Sequence, residues 1–498
     1  MTEITNYIKS HFARWGLSKL FFYALIVILP LGTRKIFFTP QSYYFGYHSF
    51  YNTFYLYLTH LVFLCLILTW LWENLYREER VGFLHKIITI ISQDKIYWFT
   101  GIFWLILAIS LLVSRETYLG LYGLVKITQF ILLFAYVRES IYISREIKSI
   151  FWLILVTFCF QSALGIWQYV NQSSVGLRLF GEEFLRPGLK GIAEFVSRET
   201  LNSFFTQFFP YLSPISDRVI NIRAYGTLPH PNILGGLLFI VMMLNILMLY
   251  FSREKIKTIV LSFTLILTTT GLVVTFSRLA WGVAGLGIIF WFDLIFIFVR
   301  GQELTQMKTE QMEADKHKYL SGKVVLIAIL LVAALGLNYW LFGEAIRDRL
   351  TAIGPGAGQA HDYAPAESLV NRELYNKIAL NMIQAKPVWG VGLKNFVVAM
   401  DDYAPERLLP FLHQPVHNIY LLIAAETGIL GLFVFLVVSF YVIKNIVRHE
   451  PGVLKYTLLI IFFGMLTLGL FDHYFFTIQQ GSLMFWLMLG LAATKNQP

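Results

Sequence analysis

The chain carries little charge: Asp, Glu, Lys and Arg make up only 14% of its 498 residues, against about 25% in an ordinary soluble domain. With 57% hydrophobic and 17% aromatic residues, a water-facing globular domain is excluded, because it could not hide so much apolar surface. Cysteine is nearly absent. Cys65 and Cys159 both fall inside apolar runs, so they read as packed thiols and not as a disulfide. There is no Cys-x-x-Cys pair, glycine-rich phosphate loop, serine nucleophile elbow or dinucleotide fingerprint. Histidines are scattered, and Asp401-Asp402 reads more readily as a solvated loop face than as a metal site. The residue types therefore ask for no metal and no cofactor.

What is present is a succession of apolar runs long enough to cross roughly 30 Å of hydrocarbon. They are continuous and not alternating, so they predict helices rather than a barrel. Spans are expected at 18–33, 54–74, 97–114, 118–137, 149–170, 232–251, 257–276, 279–299, 323–342, 418–442, 456–471 and 474–493. The fold class is an all-α integral membrane protein with about twelve transmembrane helices, one polytopic domain over 1–498. Residues 1–19 are polar, and the first apolar run, Leu20 to Leu31, leads into Gly32-Thr33-Arg34 without a small-residue cleavage site, which predicts a retained first span. Two long connections, 171–231 and 343–417, and a charged insertion at 300–322 separate the spans.

The net charge of +10 would suggest a nucleic-acid partner in a soluble protein. Here the basic residues flank the spans, where they set orientation and meet lipid headgroups. They concentrate in 77–95, 138–148, 253–257 and 300–323, whereas the short connections on the other side hold Arg34, Lys35, Arg115 and Arg278. That bias puts both termini in the cytoplasm and both long connections outside. Within the larger one, Leu374, Ile378, Met382 and Ile383 recur at helical spacing and Lys386-Pro387 ends the run, predicting a helix that lies on the membrane or caps the bundle. Residues 189–208 are expected to do the same, and 354–358 form a glycine-rich connector.

Polar residues gather at the outer ends of the spans. In 223–232, two prolines and a glycine fix a turn, Asn232 can cap the next helix, and Arg223 and His230 stand where a ligand meets its N-terminus; a well-made loop-to-helix junction is the plain alternative. Arg278 sits between two apolar spans with almost no loop, and must reach headgroups or an internal partner. Arg372 opens the expected surface helix, where an ordinary solvated residue is the plain reading. His417 and Asn418 stand at the mouth of the tenth span, beside Tyr420; Glu426 lies deeper, as a carboxylate that is costly in a membrane unless paired or wet. Lys126 and Asp472-His473 read more readily as structural pairs.

The stretches RAYGTLPHPN (223–232), FSRLAWGVAGLG (276–287), NRELYNKIALNMIQAKPVWGVGLKNF (371–396) and HNIYLLIAAETGILGL (417–432) resemble, in order and spacing, the O-antigen ligase and O-antigen polymerase family of bacterial membrane glycosyltransferases. The resemblance covers 220–440. It implies a GT-C-like fold with a large extracytoplasmic helical loop between spans 9 and 10, in the bacterial inner membrane. It also implies metal-independent, inverting transfer of a glycan from an undecaprenyl-diphosphate carrier to a glycan or lipid A core acceptor. By position it assigns catalytic roles to His417, Arg278 and Arg372, and substrate contact to Arg223; His230, Asn232, Asn418, Tyr420 and Glu426 are the neighbouring binding candidates. Two other readings stay open: a protein O-oligosaccharyltransferase of the same family, and a secondary transporter or flippase.

Overall fold

The computed structural model describes residues 16–44, 46–77, 94–141, 143–189, 191–201, 219–306, 312–351, 363–448 and 452–494. The expected connector at 354–358 and both termini lie outside the described residues.

The apolar runs form helices, as their unbroken hydropathy requires. The first bundle half comprises α1 (Leu17–Ile28), α2 (Leu58–Arg77), α3 (Lys95–Ser110), α4 (Thr117–Ser140) and α5 (Ile143–Asn171). It is followed by α6 (Pro231–Phe251), α7 (Lys255–Val274), α8 (Arg278–Gln306), α9 (Met312–Thr351), α10 (Tyr363–Ala385) and α11 (Phe396–Tyr403). The chain closes with α12 (Ile419–Arg448), α13 (Val453–Gly469), α14 (Tyr474–Thr477) and α15 (Gln479–Ala493). Nine helices among the described residues are long and apolar enough to cross a membrane. The first and the last two expected spans correspond to shorter helices: α1 of 12 residues, α13 of 17 and α15 of 15. The protein is thus an all-α, multi-pass membrane protein.

α6 is the axis. It is apolar on every side, as a helix surrounded by others must be, and 94% of its spanning window is buried. It packs against α5, α7, α8, α9 and α13, while α3 lies on α12 and α4 on α15. The thiols sit differently from expectation: both are free, but Cys65 is exposed on the outside of α2 and is not packed.

Three short antiparallel strand pairs among the described residues had no counterpart in the sequence reading. β1 (Arg34–Phe37) pairs with β4 (Phe54–Tyr57), β2 (Tyr43–Tyr44) with β3 (Tyr47–His48), and β5 (Glu194–Ser197) with β6 (Val219–Ile222). β5 corrects the helix expected over 189–208: Phe195 and Val196 pair in a ladder with Asn221 and Ile220, which the β-branched residues favour. Residues 202–208 lie outside the described ones.

The amphipathic run at 371–386 does form a helix, but α10 begins earlier, so Arg372 lies within it and not at its start. Its buried face is Tyr375, Ile378, Ala379 and Met382, packed with Phe396, Met400, Val416 and Leu422 in a second apolar cluster. The helix therefore caps the bundle. α12 is broken at Gly428, where the backbone takes φ 74° and ψ 175°. The turn at 387–392 fills the break: Ile429 N–H donates to Pro387 O at 2.8 Å, and Val391 and Gly392 N–H donate to Ala425 and Glu426 O at 2.9 Å. Backbone groups freed inside a membrane helix need such partners.

Candidate functional site

The turn between α7 and α8 is too short to be a loop and is held open by side chains. Phe276 adopts φ 47°, a left-handed conformation that costs a non-glycine residue about 1 kcal/mol or more. Arg223 Nε donates to Thr275 O at 2.7 Å, and Arg349 Nε donates to Phe276 O at 3.2 Å. Two arginines thus grip the carbonyls of the turn that presents Arg278 at the N-terminus of α8. A second Arg223 nitrogen donates to Asn232 Oδ1 at 2.6 Å, and Asn232 Nδ2 donates to Asp472 Oδ2 at 3.3 Å. This chain joins the α7–α8 turn to the start of α6 and to the segment ahead of α14. Burial, with Arg349 and Arg278 close by, pulls Arg223 down to about 9, still charged at neutral pH.

His230 caps α6, its Nδ1 accepting from Asn232 N–H at 3.2 Å. Asn418 caps α12, its Oδ1 accepting from the N–H groups of Tyr420 at 2.9 Å and Leu421 at 3.0 Å. The N-termini of both helices, each an end with positive partial charge, meet at one cavity of about 240 Å³ lined by Tyr51, Glu183, His230, Gln414, His417, Asp472 and His473. The His417 ring lies 5.1 Å from that of His473 and 5.9 Å, stacked, from that of Tyr375. His417 Nδ1 is buried and, like Nη1 of Arg278, has no hydrogen-bond partner among the described residues. Native proteins rarely leave such atoms unmatched. Arg372 is within electrostatic reach of both Arg278 and His417.

The electrostatics favour a neutral imidazole. Burial lowers His417 below 6.5; the Asp472 carboxylate opposes that shift and Arg372 adds to it. Burial alone would raise Asp472, but the His417, His473 and His230 rings and a 2.8 Å bond from His473 N–H outweigh it and hold the carboxyl low. Burial raises Glu183 on the same wall, with Arg34 opposing. Among the described residues no group of three or more His, Cys, Asp or Glu is arranged to hold a metal ion.

The remaining candidates divide. Tyr420 is turned to α13, its hydroxyl donating to Leu466 O at 2.8 Å. Glu426 does not line the His417 cavity; it faces a neighbouring one, where its carboxylate accepts from Phe396 N–H at 3.3 Å. Sequence reasoning missed Arg349, Glu183, Gln414 and Tyr51. Arg349 alone left a signal, as a basic residue just past a long apolar run; the others are ordinary residues of connecting segments.

Fold and site together define a multi-pass helical membrane protein with a histidine-lined cavity where two helix N-termini meet, and with Arg372 within electrostatic reach of it. Residues 263–436 match the family model described as O-Antigen ligase, within the 220–440 segment whose motifs carry that resemblance. The match takes in Arg278, Arg349, Arg372 and His417; Arg223, His230, Asp472 and His473 lie beyond it. No curated protein matches the chain.

Proposed function

We propose that the chain is a membrane glycosyltransferase of the O-antigen polymerase or ligase type. It moves a glycan from an undecaprenyl-diphosphate carrier to an acceptor hydroxyl on the extracytoplasmic face of a bacterial inner membrane. The observation that carries this reading is the pair of buried, unmatched polar atoms, Arg278 Nη1 and His417 Nδ1, beside Arg372 within the family segment.

A lipid diphosphate is anionic, and an arginine fork matches phosphate oxygens while staying charged. Arg278 and Arg372 meet the diphosphate; Arg223 and Arg349 hold the turn from which Arg278 projects. The acceptor oxygen attacks the anomeric carbon from the face opposite the diphosphate. A new carbon–oxygen bond forms as the bond to the diphosphate oxygen breaks, the electron pair leaves with the diphosphate, and the configuration inverts. The acceptor proton passes to the neutral His417 imidazole, a base suited to neutral pH. The arginines supply the positive charge that the leaving diphosphate needs, so the reaction requires no metal. The excess of Lys and Arg in 77–95, 138–148, 253–257 and 300–323 supports cytoplasmic termini and an outward-facing site.

The test is glycan transfer in membranes by His417→Ala and Arg278→Ala, each shown to insert and to elute as a folded species. Each change is expected to cut transfer by about 10²-fold or more. Normal rates in both variants end the reading.

A further inference from the structure

Beside the His417 cavity, and sharing its Phe50–Tyr51 wall, lies a second cavity that the transfer chemistry does not use. It is lined by Tyr55, Tyr57, Tyr122, Lys126, Lys394 and Glu426, among others, and holds about 60 Å³. That is room for several water-sized groups, the bulk of a carboxylate or phosphate with part of its ring.

Its charge is unbalanced. Lys126 Nζ reaches only Thr477 O, at 3.4 Å, and otherwise faces the rings of Tyr57, Tyr122 and Phe130 at 5.9, 5.8 and 6.0 Å. Lys394 Nζ donates to Tyr51 O at 2.5 Å and sits 5.6 Å from the Tyr122 ring. Among the described residues neither ammonium has a carboxylate at ion-pair distance, and Glu426, the one acid on this wall, is engaged by the backbone of the 394–396 turn. Two lysines beside one carboxylate already engaged by backbone give the chamber more basic than acidic groups, an arrangement that an anionic guest would balance.

Two further features point to a ligand. Lys394 is held at φ 58°, where glycine or asparagine is the cheaper choice, and such strain gathers at functional sites. The Tyr55 hydroxyl is buried without a partner although the residue is only 5% exposed. Tyrosine faces and hydroxyls combined with ammonium groups suit a sugar ring bearing an acid, since the rings pack on its apolar face and the polar tips bond its oxygens.

We propose that this chamber is an acceptor-side subsite for an anionic sugar, one carrying a carboxylate or phosphate, which presents a neighbouring hydroxyl to His417 across the Phe50–Tyr51 wall. This rests on the transfer reading above, with the carrier diphosphate on the arginine side of His417 and the acceptor on the lysine side.

The experiment is equilibrium binding by saturation-transfer NMR to the full chain in nanodiscs, which needs no turnover. The probes are glucuronic acid, glucose 6-phosphate, glucose and inorganic phosphate. One or both acidic sugars are expected to bind at least tenfold more tightly than glucose, and the tighter of the two tells carboxylate from phosphate. The preference is expected to vanish in Lys126→Gln and Lys394→Gln, to persist in Lys126→Arg and Lys394→Arg, and to survive Arg278→Ala. Equal binding of glucose and both acidic sugars to the unaltered chain overturns the proposal, whatever the variants do. So does inorganic phosphate binding as tightly as the tighter of the two acidic sugars, or a preference that outlives both Gln changes. A chain that keeps the lysine-dependent preference but transfers no glycan supports the subsite and refutes the transfer reading.

Discussion

His417 and Asp472 illustrate how a residue's surroundings decide what it can do. A histidine at a helix mouth is commonly structural, yet this one is buried, leaves Nδ1 without a partner, and is lowered below 6.5 by that burial. If it is the base, kcat/KM is flat through neutral pH and falls on the acid side along a limb lying below 6.5. The Asp472 carboxylate opposes the lowering, so Asp472→Asn removes a raising influence and moves that limb further to the acid side. A pH–rate profile of the variant checks the sign, and a loss in kcat of about tenfold or more is expected with it. A merely structural Asp472 would lower the rate without moving the limb. Arg278 and His417 were legible in the sequence because each interrupts or adjoins an apolar run, where a polar residue is expensive. Glu183 and Tyr51 were not, because nothing local distinguishes them from their neighbours; their partners, Arg34 for the one and Lys394 and His473 for the other, lie on distant segments.

At the scale of single elements, α12 shows what hydropathy reads and what it passes over. Its apolar run was plain, but the break at Gly428 was not, and Glu426, two residues ahead of it, lines a different cavity from His417. A Cβ at Gly428 would lie 1.9 Å from Val388 O, and the residue also has φ +74°. Gly428→Ala is therefore expected to destabilise by about 2 kcal/mol or more, combining backbone strain with displacement of the 387–392 turn. Gly282, in α8, meets nothing within 4 Å, so Gly282→Ala is expected to be neutral or slightly stabilising. Denaturant unfolding of both in detergent, followed by tryptophan fluorescence, separates them. The hairpin β5–β6 was misread for a related reason. Four-residue strands are too short to show a period, and the pairing of Val196 with Ile220 spans a connection that local pattern cannot bridge.

For the whole molecule, the orientation expected from the Lys and Arg bias is open to direct measurement. In a chain with Cys65 and Cys159 replaced, Glu373→Cys on α10 is expected to react with a membrane-impermeant maleimide on intact spheroplasts. Lys255→Cys, at the start of α7 and exposed, is expected to react only after permeabilisation. The reverse pattern would turn the site toward the cytoplasm and remove a periplasmic acceptor. The bundle also joins distant parts of the chain: Arg138 on α4 pairs with Asp94 at 2.5 Å and donates to Ala493 O at 2.9 Å, tying the first half to the last helix. By itself the sequence determined the membrane class, the positions of most apolar helices, the helix at 371–386 and the likeness of the 263–436 segment to the O-antigen ligase family. Those properties are local: hydropathy over a span's length and short ordered motifs. Only the tertiary structure decided that Arg223 and Arg349 grip the turn presenting Arg278, that Asp472 faces His417, and that Glu426 belongs with Lys126 and Lys394. Each of those facts depends on which helix ends meet. Packing around α6 settles that, because a bilayer constrains where a helix lies along its normal but not which neighbour it touches.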